Sequence, residues 1–104
     1  MTTLAELGGR ARSGDKGDVV DIGLFAPDAA TYARFCAEVT AERVRAHFAH
    51  RVRGRVDRYL LPNLLALKFV LREALDGGAS RSLRGDNLGK CFGPTLLRLE
   101  IPDD

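Results

Sequence analysis

Cysteine is scarce in this chain of 104 residues, and its two copies lie far apart, at Cys36 and Cys91. They form neither a Cys-x-x-Cys pair nor a disulfide framework. Cys36 falls on the apolar face of a predicted helix, which favours a small buried hydrophobic residue over a catalytic thiol. Both cysteines therefore agree with an expectation that the protein is cytoplasmic.

Long hydrophobic runs are also missing. The longest apolar stretch, around Leu60–Leu75, is interrupted by Pro62 and by several polar residues, and a membrane span needs about 20 apolar residues. The N-terminal residues MTTLAELGG lack the basic and apolar regions of a secretory signal. We therefore expect a cytoplasmic protein with no membrane partner.

Neither sign of charge dominates, since 16 basic residues face 14 acidic ones. Six arginines are concentrated between Arg43 and Arg58, but such a run is more often a solvated face than a binding site. No aromatic side chain lies between Arg53 and Arg55 to stack a base. The charge pattern predicts no nucleic-acid partner.

Metal ligands and catalytic triads are not apparent either. His47 and His50 have no third ligand near them in sequence. Asp15, Asp18 and Asp21 miss the alternating spacing of a calcium loop. We expect no metal and no cofactor.

Alternating and helical periodicities outline the elements that are present. Helical segments are predicted to begin at Asp28 and at Thr40, which have N-cap side chains. Four strands are predicted, at Thr3–Arg12, Val19–Phe25, Val52–Asp57 and Leu97–Ile101, the first two forming a hairpin. The order of these elements predicts one α+β domain over residues 1–104, a two-layer sandwich with helices on one face of the sheet.

A further helix is predicted at Pro62–Asp76, opened by Pro62 and closed by Gly77-Gly78. Its apolar residues would cover most of the circumference. A helix packed on one small sheet needs only one apolar face. We therefore expect this helix to contact a second surface, on another copy or on a partner chain.

Two segments are richer in glycine and charge than a connection requires, Ser13–Asp18 and Ser80–Lys90. Glycines let backbone N–H groups point at an anion, and Lys or Arg adds charge. Neither segment is a P-loop. We predict that they meet in space, with candidate ligand-binding residues Ser13, Asp15, Lys16, Asp18, Arg84, Asp86 and Lys90. Turns held together by Asp–Arg pairs would give the same pattern, and no catalytic residue is assigned.

Several of these segments together resemble one family. The runs are ARSGDKGD at 11–18, RYLLPNLLALKFVL at 58–71 and ALDGGASRSLR at 74–84. In this order they resemble the small ferredoxin-fold domain at the C-terminus of acyclic terpene utilisation (AtuA) proteins, which also occurs as a short separate chain. Asp21 and Lys68 depart from that pattern, because asparagine is usual at both positions.

The resemblance implies a ferredoxin-like two-layer sandwich with a four-stranded antiparallel or mixed sheet. It implies a role in the catabolism of acyclic terpenes or related branched acids through acyl-CoA intermediates. The chain would then be an accessory subunit that pairs with a large AtuA-type chain, with an acyl-CoA or carboxylate as possible ligand. The alternative is a small homo-oligomeric enzyme whose site lies at loops 13–18 and 80–90.

Overall fold

The computed structural model describes residues 1–49, 51–74 and 88–103. The helices are α1 (Ala29–Glu38), α2 (Ala41–His47) and α3 (Leu88–Leu96). The strands are β1 (Thr2–Thr3), β2 (Arg10–Lys16), β3 (Val19–Phe25), β4 (Val56–Leu61), β5 (Ala66–Leu71) and β6 (Glu100–Ile101). No helix in these ranges is long and apolar enough to cross a membrane.

Four of the strands form one antiparallel sheet in the order β2-β3-β5-β4. The first two form the predicted hairpin, turning at Gly17-Asp18, where Gly17 takes a φ of +66° that glycine adopts without strain. The short strands β1 and β6 pair separately. This α+β arrangement is the predicted fold class, and its sheet is antiparallel throughout.

One face of the sheet carries the core. Alternate residues Val20, Ile22 and Leu24 of β3 are fully buried, and β5 contributes Phe69 and Leu71 to the same face. The helices pack here, and α3 lies against β2. Since side chains alternate between the faces of a strand, the residues between these point to the opposite face, which no helix covers within the described chain.

The two predicted helix starts are confirmed. The Asp28 carboxylate accepts from the Thr31 N–H at 2.8 Å, and the Thr40 hydroxyl accepts from the Arg43 N–H at 3.1 Å. The hydrogen bond from the Thr31 backbone lowers the pKa of Asp28, so the cap stays ionised to a lower pH than an ordinary aspartate does. Both caps are local features, and both begin the helices that the sequence predicts.

The helix predicted at Pro62–Asp76 is wrong. Pro62–Leu64 form one 3₁₀ turn, Leu65 takes a φ of +50°, and Ala66–Leu71 form strand β5. The strand is central in the sheet and pairs with β3 and β4, so four of its six residues are buried and its sequence is almost continuously apolar. Gly77-Gly78 lie outside the described residues.

Three strand predictions also need correction. The first strand is divided into β1 and β2, because the chain turns between Leu4 and Gly8. The strand expected at Val52–Asp57 begins only at Val56. The last strand is reduced to Glu100–Ile101, because the preceding residues belong to α3 and its terminal turn.

Gly54 explains why β4 starts late. A Cβ placed on Gly54 would lie 2.7 Å from the carbonyl oxygen of Arg72. The N–H of Arg72 donates to the carbonyl oxygen of Arg55. The Gly54 N–H donates to the same Arg72 oxygen at 3.0 Å. Two residues therefore oppose one at this point, as in a β-bulge, and the backbones approach more closely than a side chain permits.

Gly54→Ala should therefore destabilise the protein by about 1–3 kcal/mol, since the backbone must shift to admit the methyl group. Chemical denaturation monitored by circular dichroism measures the loss. Gly14→Ala is the matched control, because a Cβ there would make only an ordinary 3.5 Å contact with Asp21 Oδ1. Equal midpoints for Gly54→Ala and the wild type would contradict the prediction.

Candidate functional site

The first predicted loop is mostly strand. Ser13, Asp15 and Lys16 belong to β2, and only Gly17 and Asp18 form the turn. The antiparallel register continues to the pair Lys16–Val19, so the hairpin needs just two residues to reverse. The glycines and charges of this segment were misread as a loop because Gly14 lies within the strand.

Strand alternation also separates the candidate residues. Ser13 and Asp15 share the helix-facing side with their partners Ile22 and Val20, whereas Lys16 points to the opposite face. The Ser13 hydroxyl accepts a hydrogen bond from the Gly93 N–H at 3.3 Å. Ser13 is thereby an anchor for α3 on β2, and it does not share a side of the sheet with Lys16.

The predicted second loop, Ser80–Lys90, is only partly within the described chain. Leu88–Lys90 begin α3, which corrects their assignment to a loop, and Arg84 and Asp86 lie outside the described residues. Before the gap, the Ala74 N–H donates to the Asp18 carbonyl at 2.8 Å. After it, α3 is bonded to Ser13. Ala74 before the gap and Gly93 after it therefore both hydrogen-bond to the opening hairpin, and the meeting of the two predicted loops stays a prediction.

The arginine-rich segment is largely engaged in the fold. Arg45 donates from Nε and Nη2 to the carbonyls of Gly54 and Arg53, at 2.9 and 3.1 Å. Arg43 is 3.5 Å from Glu38, and Arg55 is 3.1 Å from Asp57. A shallow cavity of about 450 Å³ lies between α2 and this segment. These contacts support the interpretation of the run as a structural, solvated face.

Arg58 has the most specific of these roles. Its Nη1 donates to the carbonyls of Cys36 and Val39, at 2.8 and 3.0 Å, where α1 ends. The last carbonyls of a helix have no partner within the helix. Arg58 therefore joins β4 to the C-terminus of α1.

Tyr32 lies in the same interface between α1 and β4. Its hydroxyl oxygen is buried and makes no hydrogen bond within the described part of the chain. Burial raises the pKa of Tyr32, and the neighbouring Cys36 acts in the same direction. The phenol is therefore neutral well above neutral pH.

Sequence reasoning missed an exposed apolar surface, which we call the β4 edge patch. It consists of Tyr59, Leu60 and Leu61 of β4 and Leu64 of the 3₁₀ turn, exposed by 49%, 51%, 36% and 61%. Alternation places Tyr59 and Leu61 on the face without helices and Leu60 on the helix-facing side, so the patch extends around the edge of the sheet. Among the large apolar side chains of the described residues, only Met1 is comparably exposed. The sequence signal was present as RYLLPNLL, but only its part from Pro62 onward was assigned, to the predicted helix, and Tyr59–Leu61 were assigned to no element.

The two departures from the expected family pattern are neighbours in the structure. Asp21 of β3 faces Val70, and Lys68 of β5 faces Gly23, two positions along. Both side chains are exposed on the face without helices. Diagonal residues on adjacent strands are close enough for long side chains to interact. Compared with two neutral asparagines, the opposite charges of Asp21 and Lys68 leave the net charge of this face unchanged.

No group of three His, Cys, Asp or Glu residues in the described ranges could hold a metal ion.

The fold as a whole defines a small α+β domain with one helix-covered and one open sheet face. Comparison with protein families then matches residues 2–102 to the AtuA ferredoxin-like domain. The chain belongs to this family. Searches of curated proteins and of solved structures gave no match.

Proposed function

We propose that the chain is an accessory subunit that docks on a large AtuA-type chain through the β4 edge patch. The complex would act in the catabolism of acyclic terpenes or related branched acids by way of acyl-CoA intermediates. Family membership supports the metabolic context. The observation that carries the docking role is the cluster of exposed apolar side chains on an edge strand.

The backbone of β4 adds to this surface. β4 pairs with β5 on one side and has no neighbour on the other within the described chain. Because the Arg72 N–H donates to the Arg55 carbonyl, alternation directs the backbone groups of Arg58 and Leu60 to the outer edge. An unpaired edge with apolar side chains is a template for strand addition by another chain. A partner strand would cover Leu60 and satisfy these groups together.

Co-expression of the tagged protein with a large AtuA-type chain from the same host tests the proposal. We expect a complex in size-exclusion chromatography with light scattering. Leu60→Asp combined with Leu64→Asp should weaken it by at least about a hundredfold, because two charges would be buried in an apolar contact. The matched control is Ala30→Asp with Ala33→Asp, on the exposed side of α1.

The outcomes separate the parts of the proposal. No complex with the wild-type protein would contradict the accessory-subunit role. A complex that tolerates the leucine substitutions as well as the control would show that docking uses another surface. Self-association without the large chain would favour the alternative, a small homo-oligomeric enzyme, which is supported by the hydrogen bonds of Ala74 and Gly93 to the opening hairpin.

A further inference from the structure

The open face is the side of the four-stranded sheet opposite the helices. Every second residue of each strand lies on this face. Arg10 of β2 and its partner Phe25 of β3 are one such pair, and the others follow by alternation along the register. Gly14 and Gly23 contribute no side chains to this face. Its charged residues stand around these two positions.

The charge on this face is strongly one-sided. Its cations are Arg10, Arg12, Lys16, Arg55, Lys68 and Arg72. Its anions are Asp21 and Asp57. The face therefore has an excess of four positive charges, whereas the whole chain has a net charge of only +2. The remainder of the molecule is accordingly net negative by two.

Much of this charge is available to a partner. Asp57 is bridged by Arg55 and Arg72, at 3.1 and 3.3 Å, so this carboxylate is already compensated. Arg12 and Lys68 are exposed and form no ion pair with any described residue. They flank Gly23 from the two neighbouring strands. Two cations without an ion pair among the described residues thus lie about the centre of the face.

An apolar area adjoins these cations. The Phe25 ring lies over Gly23, at 3.1 Å from where a Cβ would be. Ala66 pairs with Phe25 on one side and with Leu61 on the other, which continues the surface into the β4 edge patch. A complementary surface would be both acidic and apolar.

We propose that the open face, together with the β4 edge patch, binds an acidic surface of a partner protein. This inference rests on the proposed function and names the charge of the partner's surface. A second copy of the chain is a poor occupant, because two such faces would oppose like charges. A polynucleotide is also a poor occupant, because Asp21 stands exposed at the centre and Tyr59 is the single well-exposed ring on the described face.

Binding to labelled homopolymers of glutamate and of uridine, matched in length, tests the charge preference at low ionic strength by fluorescence anisotropy. We expect the glutamate polymer to bind more tightly than the uridine polymer. Arg12→Glu with Lys68→Glu should weaken its binding by at least about tenfold. The control, Arg51→Glu with Arg98→Glu, makes the same change of net charge at exposed positions outside the sheet.

Three results would overturn the inference: no binding of the glutamate polymer, tighter binding of the uridine polymer, or equal weakening by the control. The co-expressed large chain gives a separate readout. If the large chain binds the wild-type protein and Arg12→Glu with Lys68→Glu does not weaken that binding, the inference fails while the accessory role stands. If the large chain does not bind although the glutamate polymer binds through the open face, the accessory role fails and the inference stands.

Discussion

Phe69→Ala should lower the free energy of unfolding by about 3–5 kcal/mol, the usual cost of removing a buried phenylalanine ring. Phe69 is fully buried in β5, where it pairs with Ile22 of β3 and Arg58 of β4. The ring lies at the middle of the helix-covered face, so the cavity has little freedom to collapse. Since small domains are stable by about 5–15 kcal/mol, this one change would remove a large part of the total.

Val70→Ala is the matched control. Val70 is the next residue, lies on the open face and is only half-buried. We expect its loss to be no more than about 1 kcal/mol, as for most partly exposed positions. Denaturation midpoints and slopes of the two variants compare them directly. Equal losses would contradict the strand, because a helix that is apolar on most of its faces would bury both side chains.

The segment from Pro62 to Leu71 shows where prediction from the sequence fails. A strand buried at the centre of a sheet and a helix buried on several sides both read as continuous apolar runs. Leu64 and Leu65 lengthened the apolar run and made a helix the better match. In the structure Leu64 is exposed, and the backbone of Leu65 adopts the left-handed conformation. Pairing with β3 and β4 decides the outcome, and such long-range contacts leave no local signal.

Elements that depend on local chemistry were predicted well. The hairpin of β2 and β3 follows from alternation and a tight turn, and Asp28 and Thr40 accept hydrogen bonds from the first turns of their helices. α3 is the opposite case, because Gly93 and Pro94 are poor helix formers. Tertiary packing overrides that preference.

Two contacts account for the packing of α3. Phe92 stacks on Phe48, with ring centroids 4.9 Å apart, and Leu96 is fully buried. Gly93 allows the helix to approach Ser13 closely, since a Cβ there would lie 3.3 Å from the Ser13 hydroxyl. None of these partners is near α3 in the sequence, so a helix at this point could not be inferred.

The meeting of the two predicted loops stays a prediction, because most of Ser80–Lys90 lies outside the described residues. In the first of them the strand extends to Lys16, and alternation then places Ser13 and Lys16 on opposite faces. The β4 edge patch depends on β4 being an edge strand. Strand order is a property of the whole fold, so the exposure of Leu60 could not be read from its neighbours.

Arg58→Ala should cost about 3 kcal/mol of stability, because it removes two charge-assisted hydrogen bonds of roughly 1.5–3 kcal/mol each. The carbonyls of Cys36 and Val39 would lose their donor at the C-terminus of α1. The guanidinium is half-buried, so water replaces it poorly. The same change would loosen the contact between α1 and β4 next to the β4 edge patch.

Arg55→Ala is the control for Arg58→Ala, as it removes an arginine from the same segment. Its side chain is 70% exposed and its ion pair with Asp57 lies on the surface, so the expected loss is below about 1 kcal/mol. Arg58→Lys should fall between the two, because an ammonium group keeps the charge but lacks the fixed N–H directions of the planar guanidinium, whose Nη1 donates to both carbonyls. Denaturation midpoints order the three variants, and hydrogen exchange at the end of α1 locates the effect. If Arg58→Ala is no more harmful than Arg55→Ala, then Arg58 does not hold α1 to the sheet.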